Sequence, residues 1–277
     1  MRIALVVHPN RRSAARIATE FVAAARRRDI AVTASPTDCA RISGCIERPD
    51  DGPADADAVV AVGGDGTVLE AVRLALGADI PVLGVNAGHV GFLTQVEPGH
   101  LAEAIDALAS GTYEESRRMT LQTTLPDGRV VAGLNDVVVE KLVSQHVVKL
   151  AVSVGAERLL EYRTDAVVVA TPTGSTAYTF SAGGPLVDPE LEALIVTPVA
   201  PHNLFGRPIV FRPTVRLRLD VVDDRPARVN LDGRTVAELT PGDGIELSRG
   251  EHAVRFIRLT PRNFAASVRD KFHLHDA

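Results

Sequence analysis

The first part of the chain alternates short apolar runs with segments of helical spacing. The apolar runs predict strands at residues 3–7, 30–34, 58–62 and 81–85. Helical patterns fall between and after them, at residues 13–28, 68–76 and 101–108. Alternating strands and helices predict a parallel sheet covered by helices on both faces, a doubly wound α/β domain. Ligands of such sheets bind at the carboxyl ends of the strands.

Beyond about residue 113, strand patterns follow one another with short turns. They predict strands at residues 119–125, 130–140, 147–154, 167–170, 194–198, 215–222, 228–232 and 253–259. This order indicates a mainly β second domain. A final helical pattern at residues 263–274 places Phe264, Val268 and Phe272 on one face, so we expect this helix to pack against an apolar surface. The predicted parts are residues 1–115, 116–258 and 259–277.

Composition narrows the class of partner. A net charge of -5 and a pI near 5.9 argue against a nucleic-acid binder, which leaves small molecules as the expected partners. The first apolar run is too short for a signal peptide, and no apolar run reaches the ~18 residues of a membrane span. Cys39 and Cys45 have five residues between them, which matches neither a CxxC redox pair nor a zinc framework. We therefore expect a cytoplasmic protein.

A glycine-rich loop, Gly63-Gly64-Asp65-Gly66-Thr67, stands where a predicted strand ends and a predicted helix begins. Glycines let the backbone approach a ligand, and the amides at the start of a helix favour anions. A carboxylate in such a loop would repel phosphate unless it held a metal or took a proton from an attacking hydroxyl. The loop therefore points to phosphoryl transfer, although a purely structural turn is an alternative.

A second loop, at residues 171–185, is rich in glycine and hydroxyl groups. Six hydroxyls lie between Thr171 and Thr179. Hydroxyl groups can bond ribose and phosphate oxygens without adding charge, although a structural turn with a helix N-cap also explains them. Asp165 and the pair Asn135-Asp136 add carboxylates and an amide that suit ribose hydroxyls or adenine edges.

Several stretches together resemble the NAD kinase family. They are residues 63–67 (GGDGT), 85–93 (VNAGHVGFL), 134–139 (LNDVVV), 162–185 (YRTDAVVVATPTGSTAYTFSAGGP), 196–210 (VTPVAPHNLFGRPIV) and the turn Asp232-Gly233-Arg234. The stretch at 162–185 is the most specific, since diacylglycerol, sphingosine and 6-phosphofructo-kinases share GGDGT. The resemblance implies transfer of a phosphoryl group from ATP or polyphosphate to the adenosine-ribose 2′-hydroxyl of NAD. It also implies a divalent metal, with Mg²⁺ expected, and no metal ligand follows from it.

The resemblance assigns roles to matching positions. Asp65 would take the proton of the 2′-hydroxyl, and Gly66 would let the backbone approach the nucleotide. The remaining nucleotide-binding positions are Asn135, Asp136, His146, Arg163, Asp165, Thr173, Thr176, Ala177, Tyr178, Ser181 and Arg234. The implied fold is an α/β domain, a β-sandwich-like domain and a last helix that returns to the first domain. A homodimer or homotetramer is implied as well.

The sequence departs from the family pattern at two positions. Asp136 stands where a glutamate is usual, and Glu70 stands where arginine or lysine is frequent. Glu70 in the first turn of a helix also has a structural explanation through the helix dipole, and Arg73 could supply the missing positive charge. Two alternatives stay open: a non-catalytic NAD(P)-binding sensor and a GGDGT-type lipid or sphingosine kinase relative.

Overall fold

A computed structural model describes residues 1–48, 52, 55–88, 91–260 and 264–274. The strands, in chain order, are β1 (Arg2–Val7), β2 (Ala31–Ala34), β3 (Ile46–Glu47), β4 (Ala58–Gly63), β5 (Val82–Asn86), β6 (Glu114–Arg118), β7 (Leu121–Thr124), β8 (Val130–Gly133), β9 (Asp136–Lys141), β10 (Val148–Val154), β11 (Glu157–Thr164), β12 (Ala166–Ala170), β13 (Leu194–Val199), β14 (Ile209–Phe211), β15 (Leu217–Val221), β16 (Ala227–Leu231), β17 (Arg234–Leu239), β18 (Gly244–Arg249) and β19 (Val254–Arg258). The helices are α1 (Arg12–Arg26), α2 (Pro36–Cys39), α3 (Asp65–Ala75), α4 (Leu101–Ser110), α5 (Tyr178–Ser181) and α6 (Phe264–Phe272). Two 3₁₀ turns lie at Pro98–His100 and Thr173–Thr176.

The chain divides into two compact units. One unit is Met1–Arg117 together with Val254–Ala277, and the other is Arg118–Ala253. Each unit has its own core of buried apolar side chains.

The first unit is built on a seven-stranded sheet with the order β3-β2-β1-β4-β5-β19-β6. The pairs from β3 to β5 are parallel, and so is the pair of β19 with β5. Strands β4 and β5 are buried along their whole length, as expected for apolar runs in a parallel sheet with both faces covered. The strand order reverses between β1 and β4. That point is where ligands of doubly wound sheets bind.

Helix starts and ends follow local chemistry. Helix α1 begins at Arg12, one residue before its predicted span, and the hydroxyl of Ser13 donates to the carbonyl of Ala87 at 2.9 Å. Helix α4 is followed by Gly111, whose φ of +69° lies in the left-handed region that favours glycine. Helix α6 belongs to the first unit, where the ring centroids of Phe272 and Phe92 lie 6.1 Å apart. The first residue of its predicted span, Asn263, lies outside the described residues.

Strand β19 lies in a different sheet from the one that its position in the sequence suggested. The strand pattern at residues 253–259 was assigned to the second domain, whereas β19 pairs with β5 through Phe256 and Val82. An apolar run predicts a strand but not its partner, and the buried Ile257 joins the core of the first unit. The predicted boundary after residue 115 and the separate C-terminal helix stay predictions.

The second unit contains two six-stranded sheets with the orders β11-β10-β15-β18-β7-β8 and β14-β13-β12-β9-β16-β17. Their strand pairs are antiparallel. Leu150 and Leu219 of the one sheet share a buried cluster with Val137 and Val169 of the other, so the sheets pack as a sandwich. The fold class predicted from the sequence is thus confirmed.

Residues 130–140, predicted as one strand, form two. The break falls at Leu134 and Asn135, so that β8 lies in one sheet and β9 in the other. Strands β6 and β11 were not predicted, because charged residues dominate both and most of their side chains are exposed. The apolar alternation that reveals a strand requires one buried face.

The two cysteines form a disulfide. Cys39 and Cys45 have their Cα atoms 5.8 Å apart, and both side chains pack against the core of the first unit. The bond ties α2 to the loop that leads into β3. Separately, the described helices include none with the length and apolarity that crossing a membrane requires.

Candidate functional site

The glycine loop joins β4 to α3, as the sequence predicted. Gly64 is the extended residue before the helix, and Asp65 is its first residue. A Cβ on Gly63 would lie 2.2 Å from Oγ1 of the buried Thr67. Only glycine at position 63 therefore lets the chain turn this tightly over the threonine.

The carboxylate of Asp65 is held by two backbone amides. Its Oδ2 accepts from the N–H of Phe92 and its Oδ1 from the N–H of Leu93, both at 3.0 Å. A Cβ on Gly91 would lie 2.0 Å from Oδ1, so glycine at this position makes room for the carboxylate. Each carboxylate oxygen keeps a lone pair, because a carboxylate offers about four acceptor sites. His89 and Val90 of this segment lie outside the described residues.

A cavity of about 300 Å³ opens beside Asp65. It is lined by the end of β1 and by the residues that follow β1 and β4: Val6, Val7, His8, Pro9, Arg11, Gly64, Asp65, Gly66, Thr67 and Glu70. These are the strands between which the sheet order reverses. The cavity therefore lies where a doubly wound sheet binds its ligand.

The positively charged residue that lines this cavity is Arg11 and not Arg73, the residue that the sequence suggested. Arg73 forms an ion pair with Glu70, with Nε and Oε2 3.1 Å apart, and it is not among the lining residues. Arg11 does line the cavity, and a Cβ on Gly88 would lie 2.4 Å from Arg11 Nη1. Arg11 was not predicted from the sequence, because no local motif distinguishes it from the other arginines.

In the second unit, the loop at residues 171–176 lies against the start of β9. The N–H of Thr171 donates to the carbonyl of Asn135 at 2.9 Å, and its hydroxyl donates to the carbonyl of Leu134 at 2.6 Å. A Cβ on Gly174 would lie 2.0 Å from the carbonyl oxygen of Asn135. The close approach of these two backbones brings the hydroxyl-rich loop onto the Asn135-Asp136 pair.

Several hydroxyls of this loop satisfy backbone groups. Ser175 Oγ donates to the carbonyl of Val187 and accepts from its N–H, at 3.2 and 3.0 Å. Thr176 Oγ1 donates to the carbonyl of Thr173 at 3.1 Å. A structural role in this loop therefore explains some of its hydroxyl groups, among them those of Ser175 and Thr176.

Asp136 is almost completely buried beside a second carboxylate. Burial raises its pKa to about 7, with a further contribution from the charge of Asp232 and an opposing one from the N–H of Tyr178, which donates to it. The carboxylate of Asp232 accepts from the backbone N–H groups of Leu134, Asn135 and Asp136 at 2.8, 2.7 and 3.2 Å. Asp136 thus changes charge near neutral pH.

Tyr178 and Asp165 belong to the same cluster. Burial raises the pKa of Tyr178, and the charges of Glu140, Asp165 and Asp136 raise it further. Asp165 Oδ1 accepts from Lys141 Nζ at 2.6 Å. Lys141 and Asp165 lie at the end of β9, whereas Asp136 lies at its start. Strand β9 thus has acidic side chains at both ends and one cation, which suits sugar hydroxyls.

The other predicted binding residues lie on several elements of the second unit. Thr173, Thr176 and Ala177 lie in or directly after the 3₁₀ turn, and Ser181 ends α5. Arg234 starts β17, opposite Leu231, which precedes Asp232. Arg163 lies on β11, and its N–H donates to Asn203 Oδ1 at 2.8 Å. His146 is exposed and lies in the loop between β9 and β10.

Three residues of this cluster were not assigned a role from the sequence. Asp232 was quoted as part of a stretch that resembles the family, without a role of its own. The dipeptide Asp232-Gly233 between two strand patterns is a hairpin signal that could have predicted its position in a turn. Gly174 lies inside a motif that was already quoted. Lys141 has no signal of its own, since only the pairing of strands brings it to Asp165.

Models of two protein families match the chain. The ATP-NAD kinase N-terminal domain matches residues 49–113, and the ATP-NAD kinase C-terminal domain matches residues 134–259. Among curated relatives, the NAD kinase of Symbiobacterium thermophilum is 38% identical, with 98% of each chain covered. The NAD kinase of Nocardia farcinica is 43% identical over 78% of this chain and 68% of its own.

Solved structures agree with these matches. An NAD kinase from Archaeoglobus fulgidus in complex with ATP superposes with a TM-score of 0.77 at 28% identity, covering 98% of this chain and 99% of the other. Yeast NADH kinase complexed with NADH has a TM-score of 0.92 at 23% identity, covering 100% and 89%, and supports the fold alone. On the strength of both domain matches and the identity along nearly the whole length, the chain belongs to the NAD kinase family.

Proposed function

We propose that this NAD kinase uses ATP as phosphoryl donor and Asp65 as general base. The 2′-hydroxyl of the adenosine ribose loses its proton to Asp65 as its oxygen forms a bond to the γ-phosphorus. The bond from that phosphorus to the β–γ bridging oxygen breaks, so NADP and ADP are the products. The observation that carries the proposal is the carboxylate of Asp65, fixed by two amides beside the cavity at the sheet's reversal point.

The donor assignment is supported by the cavity and by a relative. Backbone amides at the start of α3 and the side chain of Arg11 suit phosphate oxygens. The Archaeoglobus fulgidus NAD kinase was solved in complex with ATP. Polyphosphate offers the same phosphate chemistry, and comparing the two donors in one assay separates them.

The metal assignment rests on the carboxylates of the same cavity. Mg²⁺ carried by nucleotide phosphates needs only one or two protein carboxylates, and Glu70 lines the cavity near Asp65, which leaves Asp65 to act as base. Bound there, the ion would neutralise charge on the transferring phosphate. In the ranges that the structure describes, no group of three or more His, Cys, Asp or Glu side chains could hold a metal by itself.

The acceptor assignment rests on the polar side chains at the two ends of β9. Ionised Asp136 and Asp165 can accept from ribose hydroxyls, and Asn135 offers both a donor and an acceptor. Thr173, Thr176, Ala177, Tyr178 and Ser181 are proposed as further contacts to the dinucleotide. His146, Arg163 and Arg234 retain that role on the resemblance alone.

Self-association and cytoplasmic location complete the proposal. A homodimer or homotetramer is supported by Leu204 and Phe205, two adjacent large apolar residues that are exposed in the second unit. Cytoplasmic location is supported by the low cysteine content, whereas the Cys39–Cys45 disulfide is an observation against it.

Removal of a positive charge from the cavity tests the donor site. We expect Arg11→Gln to raise the KM for ATP about two- to fivefold, since one exposed charged contact contributes up to about 1 kcal/mol. The effect should shrink at high salt, because screening weakens exposed charges. Steady-state kinetics at varied ATP and saturating NAD measure it.

Two other arginines provide the comparison. Arg12→Gln makes the same change one residue away, outside the set of lining residues, and should leave the KM for ATP unchanged. Arg73→Gln tests the sequence-based hypothesis. A larger effect at Arg73 than at Arg11 would contradict the donor site described above.

A further inference from the structure

The turn between β16 and β17 carries a carboxylate that points at the start of β9. Asp232 and Gly233 have φ angles of +48° and +77°, as the two central residues of a type I′ hairpin turn do. Glycine or asparagine at position 232 would serve that turn as well. The turn is therefore compatible with an aspartate at position 232 but does not require one.

The hydrogen bonds of the Asp232 carboxylate explain the aspartate at this position. Asp232 accepts from the N–H groups of Leu134, Asn135 and Asp136, which lie where the chain leaves one sheet and enters the other. Its own N–H donates to the carbonyl of Asp136 at 3.0 Å. A Cβ on Gly133 would lie 2.7 Å from Asp232 Oδ2, so Gly133 leaves space for this carboxylate. The side chain thus fixes the backbone of two proposed dinucleotide contacts.

We propose that Asp232 is a positioning residue of the dinucleotide site, which holds Asn135 and Asp136 in place and whose negative charge controls the pH range in which Asp136 binds sugar hydroxyls. The inference rests on the proposed function of Asn135 and Asp136. Asp232 itself touches no substrate in this account. It acts through the start of β9.

The charges around Asp136 set the direction of the effect. Asp232 faces it from the β16–β17 turn, and the Tyr178 N–H faces it from α5. Across the sheet, Asp136 pairs with the uncharged Ala170 on β12. On the other side, the uncharged Leu231 of β16 pairs with Val137, the next residue of β9. A carboxylate that accepts three N–H bonds is best matched by its ionised form, which leaves Asp136 to take the proton of the pair.

The pH dependence of NAD binding follows. Below about pH 7, Asp136 is mostly protonated and offers fewer acceptors to ribose hydroxyls. If the ionised form binds, NAD should bind about tenfold more weakly at pH 6 than at pH 8. Affinity should therefore rise with pH through a midpoint near 7.

The test is calorimetric titration of the full chain with NAD from pH 5.5 to 8.5. Asp232→Asn keeps a residue that suits the turn and removes the charge, so the midpoint should move down by about one pH unit. Asp136→Asn removes the titrating group and should abolish the pH dependence. Asp127→Asn, in the Asp127-Gly128 turn of another hairpin, should leave the midpoint unchanged.

The possible results separate the inference from the function it rests on. A structural role alone would let Asp232→Asn weaken binding equally at all pH values with an unmoved midpoint, and that result would overturn the inference. A persistent midpoint near 7 in Asp136→Asn would overturn it independently, even if Asp232→Asn failed to fold. Absence of NAD binding to the wild-type chain at every pH would instead refute the proposed function.

Discussion

Asp65→Asn is expected to lower kcat by about 10²–10⁴, the typical contribution of a positioned general base. Asparagine keeps the shape of the side chain and removes its basicity. The structure adds a cost in stability, because the amide NH₂ would face one of the two N–H groups, of Phe92 or Leu93, that the carboxylate now accepts. Leaving that donor unsatisfied costs about 1–3 kcal/mol, so the melting temperature should also fall.

Thr94→Val separates the two effects. Its hydroxyl accepts from the N–H of Gly91 at 3.3 Å, so valine disturbs the same segment and leaves the carboxylate in place. We expect Thr94→Val to lose stability with kcat close to that of the wild type. If Asp65→Asn kept near wild-type kcat in single-turnover measurements, Asp65 would not be the base.

Gly174→Ala is expected to impair both folding and dinucleotide binding. The new Cβ would lie 2.0 Å from the carbonyl oxygen of Asn135, a backbone atom that cannot rotate away. Overpacking of this kind costs about 1–3 kcal/mol of unfolding free energy. Because the loop would be pushed from the start of β9, NAD affinity should fall as well.

Chemical denaturation and NAD titration measure the two effects of Gly174→Ala. Gly77→Ala makes the same substitution where a Cβ would meet no atom within 4 Å, and should leave both quantities near wild type. Unchanged stability and unchanged NAD affinity in Gly174→Ala would contradict the described packing of the loop on β9.

The architecture could be predicted because its signals are local. Continuous apolar runs, as in β4 and β5, are typical of strands buried on both faces and predict a parallel sheet from the sequence alone. Strand β19 shows the limit, since its partner β5 is more than 160 residues away along the chain. Exposed charged strands such as β11 give no periodic signal at all.

The site could be predicted where a residue type has few other uses. A glycine loop with an embedded aspartate is unusual, and Asp65 lies beside a cavity. Its role as general base stays a prediction. Residues defined by tertiary contact could not be found in this way. Arg11 is one of many arginines. The role of Asp232 depends on backbone groups at the start of β9, which are far away in the sequence but adjacent in the sheet because β16 pairs with β9.

Formation of NADP tests the central claim most directly, since an NAD(P)-binding sensor would share the fold and the dinucleotide site. The purified chain is incubated with NAD, Mg²⁺ and ATP, and NADP is measured by an enzymatic cycling assay specific for the 2′-phosphate. The account predicts NADP that accumulates with time and depends on ATP. Binding of NAD without any NADP, with either ATP or polyphosphate present, would contradict it.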